Sequence, residues 1–289
     1  MMVVFNPIAG RRRAPFLWRV LDTMLASGLR LELAETTSRG HAETLARSAA
    51  LAGERLVVAA GGDGTIAEVA NGLIGSDAKL GVIPLGTANV LAHELALPFA
   101  PRAIAAALAF GRTRVLWPGL ATGPATARLF VQMLGLGFDA EVVRRLSPQL
   151  KRLFGRAAYV WQTLRELPRY RFRSIRLRID GDETEAASVI VTKGRLYGGH
   201  YLLAPDARPG EPGLSVVLFK HGGPYAALTC GAALPLNRLP AMPGIQHRRA
   251  MQVEILGEHR APAQVDGDPA GFSPLTVTDA TAPIQVVAG

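Results

Sequence analysis

The chain has 289 residues, 49% of them hydrophobic and 19% charged, with a formal net charge of +9 and one cysteine. This suits a globular chain of one large or two ordinary domains and excludes collagen-like, low-complexity and disulfide-framework classes. The longest uninterrupted apolar run, AIAAALAF at 103–110, is far short of the roughly 18 residues a bilayer span needs, so the sequence predicts a soluble chain.

The opening MMVVFNPIAGRRR places its basic residues after a short apolar run, the reverse of a secretory signal, and VVF reads as a first strand. Strands are then predicted at 3–5, 31–36, 55–61 and 80–86, with helices near 15–27, 40–52, 64–74, 88–96 and 101–110. Strands alternating with helices imply parallel pairing and a doubly wound α/β sheet. Ligands of such sheets bind at the carboxyl ends of the strands. NPIAG (6–10), TTSRGHA (36–42), GGDGT (61–65) and PLGTAN (84–89) occupy those ends.

From about residue 113 the texture changes to short β-branched segments punctuated by Gly and Pro, including SIRLRID, ASVIVTKG, LSVVLFK, MQVEILG, APAQVDGD and LTVTDA. Only 140–167 reads as helical in this half, and an antiparallel β-sandwich is expected. The division places one domain at 1–120 and a β-rich domain at 121–289, with the extreme C-terminus packing back on the first. Cys230, the sole cysteine, reads as a small buried hydrophobe in a reducing cytoplasm.

GGDGT follows the apolar run LVVAA. Its glycines remove Cβ atoms, so backbone N–H groups can converge on an anion at the start of the next helix. A phosphate suits such a loop, with Mg²⁺ or a hydrogen-bonded hydroxyl between it and Asp63. The same residues also suit a strand-to-helix turn with Asp63 or Thr65 as N-cap. PLGTAN repeats the pattern with Gly86, Thr87 and Asn89. In NPIAGRRR the three arginines could clamp phosphates or form a solvated loop. His41 reads as a surface histidine, and no His or Cys spacing marks a metal site.

Taken in order, NPIAG, TTSRGHA, GGDGT with Glu68 and Asn71-Gly72, PLGTAN, GLGFDA (135–140), YGGH (197–200) with APDA (204–207), and QVDGD (264–268) resemble the diacylglycerol kinase catalytic-domain family. That family includes sphingosine, ceramide and bacterial lipid kinases. The resemblance implies a nucleotide domain like that of NAD kinase and phosphofructokinase, followed by a β-sandwich that receives the lipid. It implies ATP with Mg²⁺ at a site lined by Thr36, Gly61, Gly62, Asp63, Gly64, Thr65 and Thr87, supported by Asn6 and Asn89. The proton acceptor would be Asp268, where the family has Glu, with Asp266 and Asp139 completing the catalytic set. An aspartate is one methylene shorter and must sit closer to its proton. A structural ion that some members hold at Asp-Gly-x-Leu is not expected here, because the matching residues are Glu211-Pro212-Gly213-Leu214.

Between Arg144 and Arg178 lie eleven basic residues against Glu166 alone. Interleaved with Leu146, Leu150, Leu153, Phe154, Trp161 and Leu164, the segment reads as an amphipathic element for an anionic membrane surface, or as a helix packed on its own domain with solvated arginines. No nucleic-acid reader motif accompanies it. The leading expectation is an ATP-dependent kinase of diacylglycerol or a related lipid alcohol, cytoplasmic and peripherally membrane-associated. The alternatives are an NAD kinase-like enzyme and a catalytically weak nucleotide- or membrane-binding homologue. A homodimer through a sheet edge is also open.

Overall fold

The apolar runs predicted as strands assemble into a parallel core in the computed structural model, which describes residues 1–10, 13–124, 127–147, 149–150, 154–257 and 259–288. Strands β1 (Met2–Phe5), β2 (Glu32–Glu35), β3 (Leu56–Gly61) and β4 (Lys79–Pro84) run parallel in the order β2-β1-β3-β4. The C-terminal strand β20 (Ile284–Ala288) lies parallel beside β4, and β5 (Arg112–Leu116) pairs antiparallel at the edge. Met1–Trp117 and Thr281–Gly289 thus form one compact unit, and Pro118–Ala280 forms a second.

Side chains alternate across a strand, so the first sheet presents two apolar faces. One face sets Val3, Phe5, Val58, Ala60 and Ile83 against helices α2 (Ala14–Ala26) and α6 (Pro101–Phe110), through Leu17, Val20, Met24, Ile104 and Leu108. On the other, Val4, Val57 and Ala59 are buried beside α3 (His41–Leu51) and α4 (Asp63–Leu73). Single turns α1 (Pro7–Gly10) and α5 (Val90–Glu94) follow β1 and β4. Helix α3 buries Ala42, Ala46 and Ala49, and this small-residue stripe lets α4 come close at Gly72. A Cβ there would lie 2.4 Å from the Glu43 carbonyl and 2.8 Å from Ala46 Cβ.

The second unit is a sandwich of two antiparallel six-stranded sheets. One has the order β10 (Asp182–Ala186), β9 (Ile175–Ile179), β16 (Val253–Ile255), β19 (Leu275–Asp279), β6 (Gly119–Thr122), β7 (Ala127–Phe130). The other runs β15 (Ile245–Ala250), β14 (Leu214–Phe219), β11 (Ser188–Thr192), β8 (Met133–Leu136), β17 (Pro262–Val265), β18 (Asp268–Phe272). Leu134, Leu136, Val189, Val191, Val216 and Leu218 of the second sheet meet Leu177, Val253, Ile255 and Val277 of the first in the core. The alternate residues Met133, Ile190 and Val217 point outward into a smaller cluster with Leu203 and Leu239.

Helix α7 (Phe138–Arg145) packs on β17 and β8, and α8 (Arg156–Glu166) packs on α7. A short hairpin of β12 (Leu196–Tyr197) and β13 (Tyr201–Leu202) and helix α9 (Pro224–Ala233) complete the unit. Cys230 on α9 is half-buried rather than fully buried, packed on the smaller cluster. No helix of the described residues is long and apolar enough to cross a membrane. The α3–α4 approach gives a direct test: Gly72→Ala forces the helices apart and lowers stability by about 1–3 kcal/mol, read as a fall in the urea midpoint at unchanged slope.

Candidate active site

Because β1 to β4 are parallel, the four loops at their carboxyl ends meet on one edge of the sheet, around the point where strand order reverses. Their contacts are specific. A Cβ on Gly86 would stand 2.6 Å from Gly62 Cα, and one on Gly62 would stand 3.3 Å from Gly86 Cα, so the backbone-to-backbone contact of PLGTAN with GGDGT requires glycine at 86 and is tight at 62. Gly61 is equally constrained, since its Cβ would lie 2.5 Å from Thr65 Oγ1. Asn6 Nδ2 donates to Thr65 Oγ1 at 3.0 Å, which ties NPIAG to the same loop. Gly40 and Ala42 N–H groups donate to Glu68 at 2.9 and 3.2 Å, which ties TTSRGHA to α4.

Asp63 opens α4 without capping it. Its Oδ1 instead accepts the Val90 N–H at 2.6 Å, so the carboxylate holds the first turn of α5. Burial pushes its pKa up, opposed by the backbone N–H groups of Val90, Leu91 and Asn89. Asn89 takes a left-handed conformation and donates Nδ2 to the Gly86 carbonyl at 2.9 Å. Its Oδ1 is buried with no donor, an acceptor left open at the contact of the two loops. Thr36 follows β2 and donates its N–H to the Phe5 carbonyl at 2.8 Å, while the Thr87 side chain is exposed. Arg13 Nη1 donates to the Pro84 carbonyl at 3.3 Å; Arg11 and Arg12 lie outside the described residues. His41 is a local turn residue, 3.0 Å from Thr37 Oγ1 through Nδ1.

In the second unit, Asp266-Gly267 is the turn of the β17–β18 hairpin, with φ of +48° and +81° and Val265 paired to Asp268. Two positive φ values in a two-residue loop suit Asp-Gly. The Asp266 carboxylate accepts N–H groups from Val131, Gln132 and Met133 at 2.8, 2.9 and 2.9 Å, which fixes the hairpin to the start of β8. Asp268, next in the chain, is part-exposed and lies 3.8 Å from Arg128. Arg128 also donates to the Pro269 carbonyl at 2.9 Å.

Asp139, on α7, receives hydrogen bonds from the Tyr197 hydroxyl and from Gln264 Nε2, the latter at 3.0 Å. Gln264 Oε1 in turn accepts the Gly267 N–H at 2.8 Å, so one amide connects Asp139 to the Asp266-Gly267-Asp268 turn. Gly135 makes room for this, because a Cβ there would lie 2.5 Å from Asp139 Oδ2 and 2.7 Å from Gln264 Nε2. Burial raises the Asp139 pKa against the pull of its two donors. Burial and the adjacent carboxylate push the Tyr197 phenol well above its usual value. Tyr197 and Gln264 lie within YGGH and QVDGD, where nothing in residue type or spacing sets them apart, and the fold brings both to Asp139.

The basic segment is partly neutralised by neighbours outside it. Arg144 and Arg145 pair with Glu141 at 2.6 and 2.8 Å. Arg176 pairs with Glu183 at 3.2 Å, and Arg178 with Glu183 and Glu254 at 2.9 and 2.8 Å. Lys151 and Arg152 lie outside the described residues. Helix α8 is inverted in polarity: Gln162 and Glu166 are buried and joined at 2.8 Å, whereas Val160, Trp161 and Leu164 are 61%, 63% and 51% exposed.

Residues 1–118 match the diacylglycerol kinase catalytic domain, and residues 132–288 match the YegS C-terminal NAD kinase beta sandwich-like domain. A diacylglycerol kinase of Bacillus subtilis (strain 168) is 32% identical over 75% of this chain and 73% of its own length. A probable lipid kinase YegS-like of Pseudomonas putida KT2440 is 31% identical over 84% of this chain and 80% of its own. The crystal structure of a diacylglycerol kinase from Bacillus anthracis str. Sterne shares the fold at a TM-score of 0.73 and 18% identity, covering 100% of this chain and 96% of that one. Matches on both units, with curated relatives above 30% identity across most of the chain, make it a member of the diacylglycerol kinase family that includes the YegS-like proteins, and a lipid kinase.

Proposed function

We propose that this lipid kinase transfers the γ-phosphoryl group of MgATP to the hydroxyl of diacylglycerol or a related lipid alcohol. Phosphoryl transfer asks mainly for positioning and charge neutralisation. The GGDGT backbone at the start of α4 offers N–H groups to the phosphates. Asn89 Oδ1, buried without a donor, accepts from a nucleotide hydroxyl or amino group. Thr36, Thr65 and Thr87 line the same edge. Mg²⁺ enters as part of the nucleotide substrate, since Mg²⁺ usually rests on substrate phosphates and one or two carboxylates.

Asp268 takes the proton of the acceptor hydroxyl as its oxygen bonds to the γ-phosphorus, and the bond from that phosphorus to the bridging oxygen breaks to leave ADP. Asp266 serves as a positioning residue, since its carboxylate is occupied by three backbone N–H groups. The observation that carries the reading is Gln264, which joins Asp139 to the turn presenting Asp268. A mass-spectrometric screen with labelled ATP across diacylglycerols, phosphatidylglycerol, sphingoid bases and NAD tests it. Phosphate on a glycerolipid is expected; phosphate on NAD alone contradicts it. Asp268→Asn lowers turnover by about 10²–10⁴-fold, whereas Asp268→Glu retains transfer.

The kinase works peripherally at an anionic membrane, through the basic segment 144–178. The outward apolar face of α8, with Trp161 and Leu164 just ahead of Arg165 and the arginines that follow it in the chain, suits an interface where rings insert and cations meet anionic headgroups. The double change Trp161→Ser with Leu164→Ser weakens co-sedimentation with phosphatidylglycerol vesicles about tenfold or more and leaves ATP binding intact; unchanged binding would contradict this face.

The Asp139 carboxylate has a raised pKa, so the folded state holds its proton more tightly than the unfolded chain does. Its contribution to stability is full below the ordinary value of 3.8 and is lost as pH rises through the raised one. Asp139→Asn therefore matches or exceeds the wild type in Tm at neutral pH. The gap closes on acidification toward 3.8, while kinase activity falls. Thermal melts across that range check the sign.

A further inference from the structure

Lys193 is the most deeply buried cation of the described residues, its side chain 0% exposed. It directly follows β11, and its Nζ meets three oxygens: Asp279 Oδ1 at 2.6 Å, the Gly213 carbonyl at 2.7 Å and the Glu211 carbonyl at 3.1 Å. An ammonium has three N–H bonds, so the group is saturated. The other Asp279 oxygen accepts the Gly213 N–H. Arg249 Nη2 takes the intervening Pro212 carbonyl at 3.0 Å, so three consecutive carbonyls, 211 to 213, all face cationic side chains.

A carboxylate and converging backbone carbonyls are the ligand set of a hard divalent ion. The resemblance stated above places a structural ion on this same turn, yet the residues do not fit one. Pro212 has no ligand side chain, the Glu211 carboxylate turns away to Arg208 at 3.1 and 3.3 Å, and the remaining oxygens are taken by Lys193. The location gives the cluster consequence. Asp279 ends β19 in one sheet, while Lys193 and Gly213 flank β11 and β14 in the other, so the ammonium closes the end of the sandwich at which the chain leaves at Ala280. Lys193 N–H also donates to the Gln132 carbonyl at 2.8 Å, and Gln132 N–H donates to Asp266.

We infer that the Lys193 ammonium is the resident cation of the 211–213 turn, occupying a divalent-ion-like oxygen site, so that the sandwich end beside the Asp266-Gly267-Asp268 hairpin is held without a bound metal. The inference is independent of which lipid accepts phosphate. Burial lowers the Lys193 pKa and Asp279 opposes the shift, as expected where a charge is kept dry by its partners.

The test uses the full chain without nucleotide. Wild-type Tm is expected to be the same in EDTA as in millimolar Ca²⁺ or Mg²⁺, and elemental analysis is expected to find no stoichiometric divalent ion. Lys193→Met, which leaves Asp279 buried and unpaired, is expected to lose about 10 °C in Tm. Lys193→Ala, which opens space beside the same oxygens, is expected to regain part of the loss when Ca²⁺ or methylammonium is added. A wild-type Tm that falls on chelation, a divalent ion retained at one per chain, an unchanged Tm in Lys193→Met, or a Lys193→Ala chain indifferent to every added cation each overturns the inference. If the variants do not fold, the chelation and metal content of the wild type decide it alone.

Discussion

The contact on which the strand-end loops of the first sheet depend is the meeting of Gly62 with Gly86. At the 2.6 Å from Gly62 Cα that a Cβ on Gly86 would reach, no side chain fits, so two strand-end loops share one backbone surface. Asp63 then reaches across to the Val90 N–H, and Asn6 reaches Thr65 from the first loop. These are backbone and short-side-chain interactions, whose geometry changes little with rotamer motion. A loop so fixed can present N–H groups to an anion without ordering them at the moment of binding, which is the advantage of preorganisation.

The second unit solves a related problem differently. A hairpin turn is ordinarily a mobile tip, but the Asp266-Gly267 turn is held from two sides. Asp266 binds three backbone N–H groups at the entry to β8, and Gln264 binds Gly267 N–H while holding Asp139. Asp268 is thereby left part-exposed at a fixed place. Losing Asp266 would strand three N–H groups at about 1–3 kcal/mol each, so this carboxylate is committed to holding the turn. Burial of Asp139 raises its pKa, so its ionised form is held in the fold at a cost.

Much of this was legible in the sequence because period and punctuation agreed. VVF, RLVVAAG and LGVIPLG were bounded by helices with clear apolar spacing, and the observed strands fall within a residue or two of those limits. What the sequence could not show were relations between distant residues. The basic count at 144–178 ignored Glu141, Glu183 and Glu254, which the fold brings to its arginines. Glu68 and Asn71-Gly72 carry the family resemblance in the sequence, and the fold shows that Glu68 caps α3 and Gly72 admits its close approach. Lys193 is inconspicuous in the sequence, because a lone lysine at a strand end is normally solvated; only the sandwich reveals the oxygens around it.

We propose a division of labour, with the nucleotide held by the glycine loops and the proton handled by the hairpin carboxylate. Calorimetric titration of MgATP into Gly86→Ala and Asp268→Asn, alongside phosphate transfer to a lipid acceptor, separates the two. Gly86→Ala is expected to lose nucleotide affinity, while Asp268→Asn is expected to bind MgATP as the wild type does and to fail in transfer. Unchanged affinity in Gly86→Ala, or full transfer in Asp268→Asn, would contradict it.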